Sequence, residues 1–344
     1  MEERTLYRPI LKEAWQITKN FKSLWFLGLF AAVLGGSGEF ELLARIIFKP
    51  GSNQGLILGA FESFKTGIQN TLPTGADLWS NLLTLLINAP LNLISLILVL
   101  VAIVLIALFV IWLAVVSQVG LIRNIDSIID KNPKPTINEG LEAGVENFWP
   151  IITVQLIYKA ILFIVFVLLG KEIILLTLLP TAGIVIHIIL LILFSLIMIV
   201  ISFVIRYQII FIILKKEKII TALKSAWKLF IGNWLISLEM AFILFIVYLS
   251  AAYLTAFIFA LFLAVPLVFL TYSYQIPAIF ILVIGAISIS AVPVIIFLIT
   301  AIVNTFQWAS WTLLFKRISA GKSSSKIIRL SAQSPNLKNP FNKK

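Results

Sequence analysis

From Leu91 to Val119 the chain runs for 29 residues without one charged side chain. A helix of about 20 apolar residues crosses the hydrocarbon layer of a bilayer, so this run reads as a membrane span. Pro150–Leu169, Ile184–Leu214 and Trp234–Leu263 read the same way. Ile276–Leu314 is too long for one straight crossing. Pro293 lies inside it and removes an intrahelical hydrogen bond, so the segment is expected to kink or to divide into two broken halves. Phe21–Gly35 offers only 15 residues before a glycine-rich stretch. It counts as the first span if the helix starts upstream, tilts or thins the bilayer, with a re-entrant segment as the alternative. The expected fold is an all-α polytopic integral membrane helix bundle of about six transmembrane helices.

Composition agrees. Of the 344 residues, 60% are hydrophobic and 12% charged, whereas soluble domains carry about a quarter charged. A single integral membrane domain is expected over residues 1–320. Residues 36–90 are expected to form an outer segment of two amphipathic stretches separated by turns, and residues 321–344 a basic, mobile tail. The N-terminus lacks a short apolar core followed by small residues, so an uncleaved first anchor is expected.

The net charge of +12 raises the possibility of nucleic-acid binding. Its distribution points to lipid instead. With six spans, 21 of the 27 Lys and Arg residues fall in segments 1–22, 120–149, 215–232 and 316–344, all on one side. The positive-inside rule then places both termini in the cytoplasm of a bacterial cell, facing anionic headgroups. Without cysteine there is no disulfide or thiolate chemistry, and the lone His187 cannot complete a zinc triad. No phosphate loop, dinucleotide fingerprint, zinc-protease motif or nucleophile elbow occurs, so neither enzyme chemistry nor a metal or cofactor is expected.

A short pattern recurs on the basic side. Leu11-Lys12-Glu13-Ala14-Trp15 returns as Leu223-Lys224-Ser225-Ala226-Trp227, and more loosely as Gly140-Leu141-Glu142-Ala143-Gly144. Asn20, Asn233 and Asn147 follow the three copies, each leading into an odd-numbered span. The spacing predicts amphipathic elbow helices in the interface. Tyr7, Leu11, Ala14, Thr18 and Phe21 share one face, as do Ile220, Leu223, Trp227 and Phe230. Lys12, Trp15, Lys224 and Trp227 are candidate interfacial lipid contacts, with tryptophans at headgroup depth and lysines near phosphates. Such elbows fix how each span enters the membrane, build a headgroup site, or dock a partner membrane protein.

L-K-E-A-W-Q-I-T-K-N-F-K-S-L-W-F-L-G-L, N-E-G-L-E-A-G-V-E-N-F-W-P and I-I-T-A-L-K-S-A-W-K-L-F-I-G-N-W resemble segments of bacterial six-span proteins related to the membrane domain of glycerophosphoryl diester phosphodiesterases. The resemblance implies a membrane domain only. The fused enzymes of that group carry their metal-binding carboxylates and histidines on a separate barrel, which this sequence lacks, so no catalytic residue transfers.

Three ionisable residues lie inside spans: Lys159, Arg206 and Glu239. Counting from the basic side at 1.5 Å per residue, their depths agree to within roughly 5 Å. Gln155, Asn304 and Gln307 sit at a similar depth. A charge in mid-bilayer costs at least about 2.5–3.5 kcal/mol, so mutual pairing is expected. A structural ion pair, a cavity for an anion or lipid headgroup, and an ion-coupled transport site all fit this pattern. The leading expectation is a non-enzymatic membrane protein that binds lipid or organises an assembly; a small transporter or flippase-like carrier is the alternative. The topology has a direct check: cysteines introduced singly at Ser52 and Ser324 are expected to react with an impermeant thiol reagent in intact cells at 52 and not at 324, and the reverse pattern contradicts it.

Overall fold

The computed structural model describes residues 7–33, 90–130, 136–178, 180–271 and 278–321. Among them every regular element is a helix. In chain order these are α1 (Tyr7–Asn20), α2 (Ser23–Val33), α3 (Pro90–Ile129), α4 (Ile137–Glu146), α5 (Phe148–Leu178), α6 (Pro180–Lys215), α7 (Ile219–Gly232), α8 (Trp234–Thr271) and α9 (Ala278–Ser319). The outer segment 36–89, the tail 322–344 and the side chain of His187 lie outside the described residues.

Five helices, α3, α5, α6, α8 and α9, are long and apolar enough to cross a membrane. The chain is thus a helical membrane bundle, as its hydropathy predicts. Of the first span, the described residues hold α2, 11 residues with a rise of about 16 Å; the end of Phe21–Gly35, beyond Val33, lies outside the described residues. Of the two alternatives for the last region, the broken halves are excluded: α9 runs unbroken for 42 residues through Pro293. Proline forfeits one hydrogen bond, which membrane helices tolerate when the freed carbonyl is satisfied locally. The other spans also outrun their hydropathy limits. Their far ends bring polar residues into helix, such as Arg123, Asn124 and Asp126 at the end of α3.

The chain divides into two compact units, residues 1–38 with 113–344, and residues 39–112. In the second, residues 97–112 of α3 are exposed on every face. They are apolar all round, as a helix surrounded by lipid must be.

The first unit is a repeated arrangement. Three times a short amphipathic helix (α1, α4, α7) turns into an apolar one (α2, α5, α8), and a return helix follows (α3, α6, α9). Each return helix meets the next elbow and reaches the helix that follows it, while α6 and α9 also pack on the spans before them, α5 and α8. The final part of α3 meets α4, where a side chain on Gly120 would come within 2.7 Å of the Gly140 carbonyl and one on Gly144 within 2.5 Å of the Val116 carbonyl. It also meets α5, where Gln155 Nε2 donates to Gln118 Oε1 at 3.2 Å. In turn, α6 packs on α7 and reaches α8 through Tyr207 and Ser237, 2.7 Å apart. Finally α9 packs on α1 and α2; Asn304 Nδ2 donates to the Gly28 carbonyl at 2.7 Å. Lys316 of α9 closes the circuit with ion pairs to Asp126 (2.6 Å) and Asp130 (2.7 Å) at the end of α3.

The corners between elbow and span follow from the need to satisfy every backbone group near hydrocarbon. Asn147 and Asn233 do this twice over. Their amides donate back to the Ala143 and Leu229 carbonyls, at 2.9 and 3.1 Å. Their own carbonyls accept the first span hydrogen bonds, from Ile151 and Ser237. At the first corner Trp25 Nε1 donates to the Thr18 carbonyl at 2.8 Å. Return helices also hold the start of the next elbow: Gln208 Nε2 donates to the Ile219 carbonyl at 3.0 Å.

Buried faces are narrower than the sequence pattern suggests. On α1 they comprise Tyr7, Ile10, Ala14, Ile17 and Thr18. On α7 they are Ala222, Ala226 and Phe230, while Ile220, Leu223 and Trp227, which the periodicity groups on one face with Phe230, point outward. Small residues face the return helix because lipid supplies no hydrophobic drive between helices, and close approach must supply the attraction. Gly144→Val is therefore expected to lower stability by about 1–3 kcal/mol through overpacking. Gly232→Ala, which meets nothing within 4 Å, is expected to be neutral or stabilising by up to about 1 kcal/mol. Thermal unfolding of the two variants in detergent checks both signs.

Candidate functional site

Three return helices supply a polar layer to the packed core. From α3 come Ser117, Gln118, Asn124 and Asp126; from α6 Ser202, Arg206 and Gln208; from α9 Asn304, Thr305, Gln307, Ser310 and Thr312, all buried. The layer is interleaved with aromatic rings. Trp311, Tyr207 and Phe315 are among the largest fully buried side chains. Phe203 and Tyr207 lie 5.7 and 5.9 Å from the Trp311 ring, and Phe211 meets Phe315 edge-on at 4.9 Å.

Arg206 is held in this aromatic setting. Its guanidinium carbon is 4.6 Å from the Trp311 ring centroid and 5.8 Å from that of Trp308. A desolvated cation over an indole face gains about 2 kcal/mol, which offsets most of the roughly 2.5–3.5 kcal/mol cost of placing the charge at that depth. Glu239, half-buried on α8, accepts a hydrogen bond from the Tyr7 hydroxyl of α1. The short acid is thereby reached by a side chain from the elbow helix. Lys159 is exposed on α5, and its long stem suits a charge that reaches along the helix to the interface.

The remaining candidates divide by task. Gln155 and Asn304 join helices, to Gln118 and to the Gly28 carbonyl. Gln307 is buried, and its Nε2 has no hydrogen-bond partner among the described residues. The same holds for the indole N–H groups of Trp308 and Trp311 and the hydroxyl of Ser310. Such groups are donors buried at a cost of about 1–3 kcal/mol each. Sequence reasoning missed Tyr7, Trp308 and Trp311 as partners of the buried charges. Helical spacing places the two tryptophans on neighbouring faces of α9, but nothing in it links them to a residue a hundred positions away.

The second candidate surface is the rim of elbows. Lys12 and Lys224 are exposed, and Trp15 and Trp227 are half-exposed, at 52% and 49%. On α7 the exposed Ile220, Leu223, Trp227 and Ile231 form one stripe, flanked by Lys224 and Lys228. Trp15 rests edge-on against Phe306, 6.2 Å away, and Arg317 pairs with Glu13 at 3.3 Å. The middle elbow, α4, is different: it carries Glu139, Glu142 and Glu146 and no base.

Comparison with protein-family profiles, with curated proteins and with solved structures finds no match for this chain. The likeness to the phosphodiesterase membrane domain therefore rests on the three sequence segments alone.

The Tyr7–Glu239 contact has a specific consequence. Tyr7→Phe and Glu239→Leu are each expected to destabilise the bundle. The double variant should lose less than the sum of the two, by about 0.5–3 kcal/mol, because both remove one shared interaction. Additive losses in thermal unfolding would show that the two side chains act independently.

Proposed function

We propose that this is a non-enzymatic membrane protein that binds anionic phospholipid along its elbow rim, on the cytoplasmic side of a bacterial plasma membrane. The observation that carries the reading is the exposed face of α7. Its small residues are spent on helix packing, and its large apolar residues point outward beside two lysines. A helix with an apolar stripe flanked by bases lies in the interface, with the stripe in acyl chains and the bases at phosphates. The first elbow offers the same pairing in Lys12 and Trp15. The acidic middle elbow repels phosphate, which confines the attraction to two of the three repeats.

Transport through the buried layer finds less support. That reading needs water at Arg206, where in this conformation Trp311, Tyr207 and Phe315 fill the core. An organising role in an assembly remains compatible with lipid binding, since a bound lipid shell is itself an attachment surface.

Native mass spectrometry of protein extracted in mild detergent tests the proposal. Anionic phospholipids are expected to remain bound in preference to zwitterionic ones. Reversing two interfacial charges, with Lys12→Glu and Lys224→Glu together, should weaken that retention by about thirtyfold, at about 1 kcal/mol per base. Retention without headgroup preference, or a profile unchanged by the double variant, would contradict it.

A further inference from the structure

An open groove lies between α2 and α9, lined by Trp25, Phe26, Leu29, Val294, Phe297 and Leu298, with Ala301 at its base. Its volume is about 260 Å³. On α2 the lining residues recur at helical spacing, as do 294, 297, 298 and 301 on α9, so the groove follows α9 for about 10 Å and α2 for about 6 Å. No polar side chain lines it, and the one polar atom of its aromatic wall, Trp25 Nε1, is already bonded to the Thr18 carbonyl.

The end of the groove toward the elbows is basic. Lys22 is exposed and stands one turn before Trp25, whose backbone N–H donates to the Lys22 carbonyl at 3.0 Å. Lys19, exposed at the end of α1, flanks the same corner. The single acid of α1 and α2, Glu13, is engaged by Arg317. A cationic corner above an apolar slot matches one chemistry: an anionic phospholipid, its phosphate at Lys22 and one acyl chain in the slot.

We propose that the α1–α2 corner and the α2/α9 groove form a discrete site for one anionic phospholipid of the leaflet adjoining the elbows. The site deepens the lipid-binding reading and rests on it. It differs from the rim in that it holds the acyl chain as well as the headgroup. The close contact at Gly28 gives it a structural origin. Gly28 draws α2 and α9 together at Thr305 and Ala301, where a side chain on it would come within 2.2 Å of Thr305 Oγ1. The helices thus touch at Gly28 and leave the slot beside that contact.

Photocrosslinking tests the site in the full chain. Benzoylphenylalanine is placed at Phe26, in the groove, or at Phe242, an outward-facing residue of α8. Each variant is reconstituted in vesicles of equal phosphatidylglycerol and phosphatidylcholine. Phe26 is expected to label phosphatidylglycerol over phosphatidylcholine, and Phe242 both alike. Lys22→Glu should reduce the preference at Phe26 about fivefold. Leu298→Trp, which fills the slot from an exposed position, should reduce total labelling at Phe26 and leave Phe242 unchanged. Equal labelling of the two lipids at Phe26, or labelling indifferent to both substitutions, overturns the site. If anionic lipid is still retained in native mass spectrometry in that case, the rim reading survives and only the groove is lost. If retention shows no headgroup preference as well, both fail.

Discussion

Close approach between small residues is the interaction on which the rest of this bundle depends. In lipid the apolar surface of a helix gains nothing by meeting another helix, so association relies on van der Waals contact and on hydrogen bonds across the interface. Here Gly120, Gly140 and Gly144 bring α3 against α4, and Gly28 brings α2 against α9. Ala222 and Ala226 are wholly buried on the α7 face toward α6. Once the backbones are this near, side-chain amides and hydroxyls reach across, as Asn304 does to the Gly28 carbonyl. The polar layer is therefore a product of the close packing and also reinforces it.

The same constraint explains why the large apolar residues of the elbows point away from the bundle. A bulky side chain on the packed face would hold the helices apart. Ile220, Leu223 and Trp227 are left facing away from the bundle, available for the acyl-chain contact proposed above. Packing and the proposed lipid contact thus come from one division of labour along a single short helix. Lys224 and Lys228 flank the stripe, where the proposal puts headgroups. The groove beside Gly28 has the same origin: a tight contact at one level leaves space at the next.

Much of this was legible in the sequence. The long spans announced themselves by uninterrupted apolar runs, and the elbows by the repeated L-K-x-A-W pattern, because both signals are local. The limits of that reading are also physical. Periodicity groups Ile220, Leu223 and Trp227 on one face with Phe230 but does not say that Phe230 alone of the four is buried, because in lipid an apolar residue need not be buried against protein. Pro293 left a kink or two broken halves open, and α9 continues as one helix, because the bilayer penalises an unravelled backbone more than a missing hydrogen bond. The depth of Glu239 and Arg206 could be counted along the chain. That Tyr7 meets one and Trp311 the other depends on three-dimensional packing across more than a hundred residues.

The central claim is that the elbows lie in the membrane interface with their large apolar stripe in lipid. The chain has no cysteine, so single nitroxide labels can be placed at Ile220, Ile231 and Lys228 in protein reconstituted in vesicles. Comparing their collision rates with oxygen and with a water-soluble nickel complex measures depth most directly. The account predicts that labels at 220 and 231 meet oxygen more readily, and that the label at 228 meets nickel. Nickel-dominated collisions at all three positions would place α7 in water and contradict it.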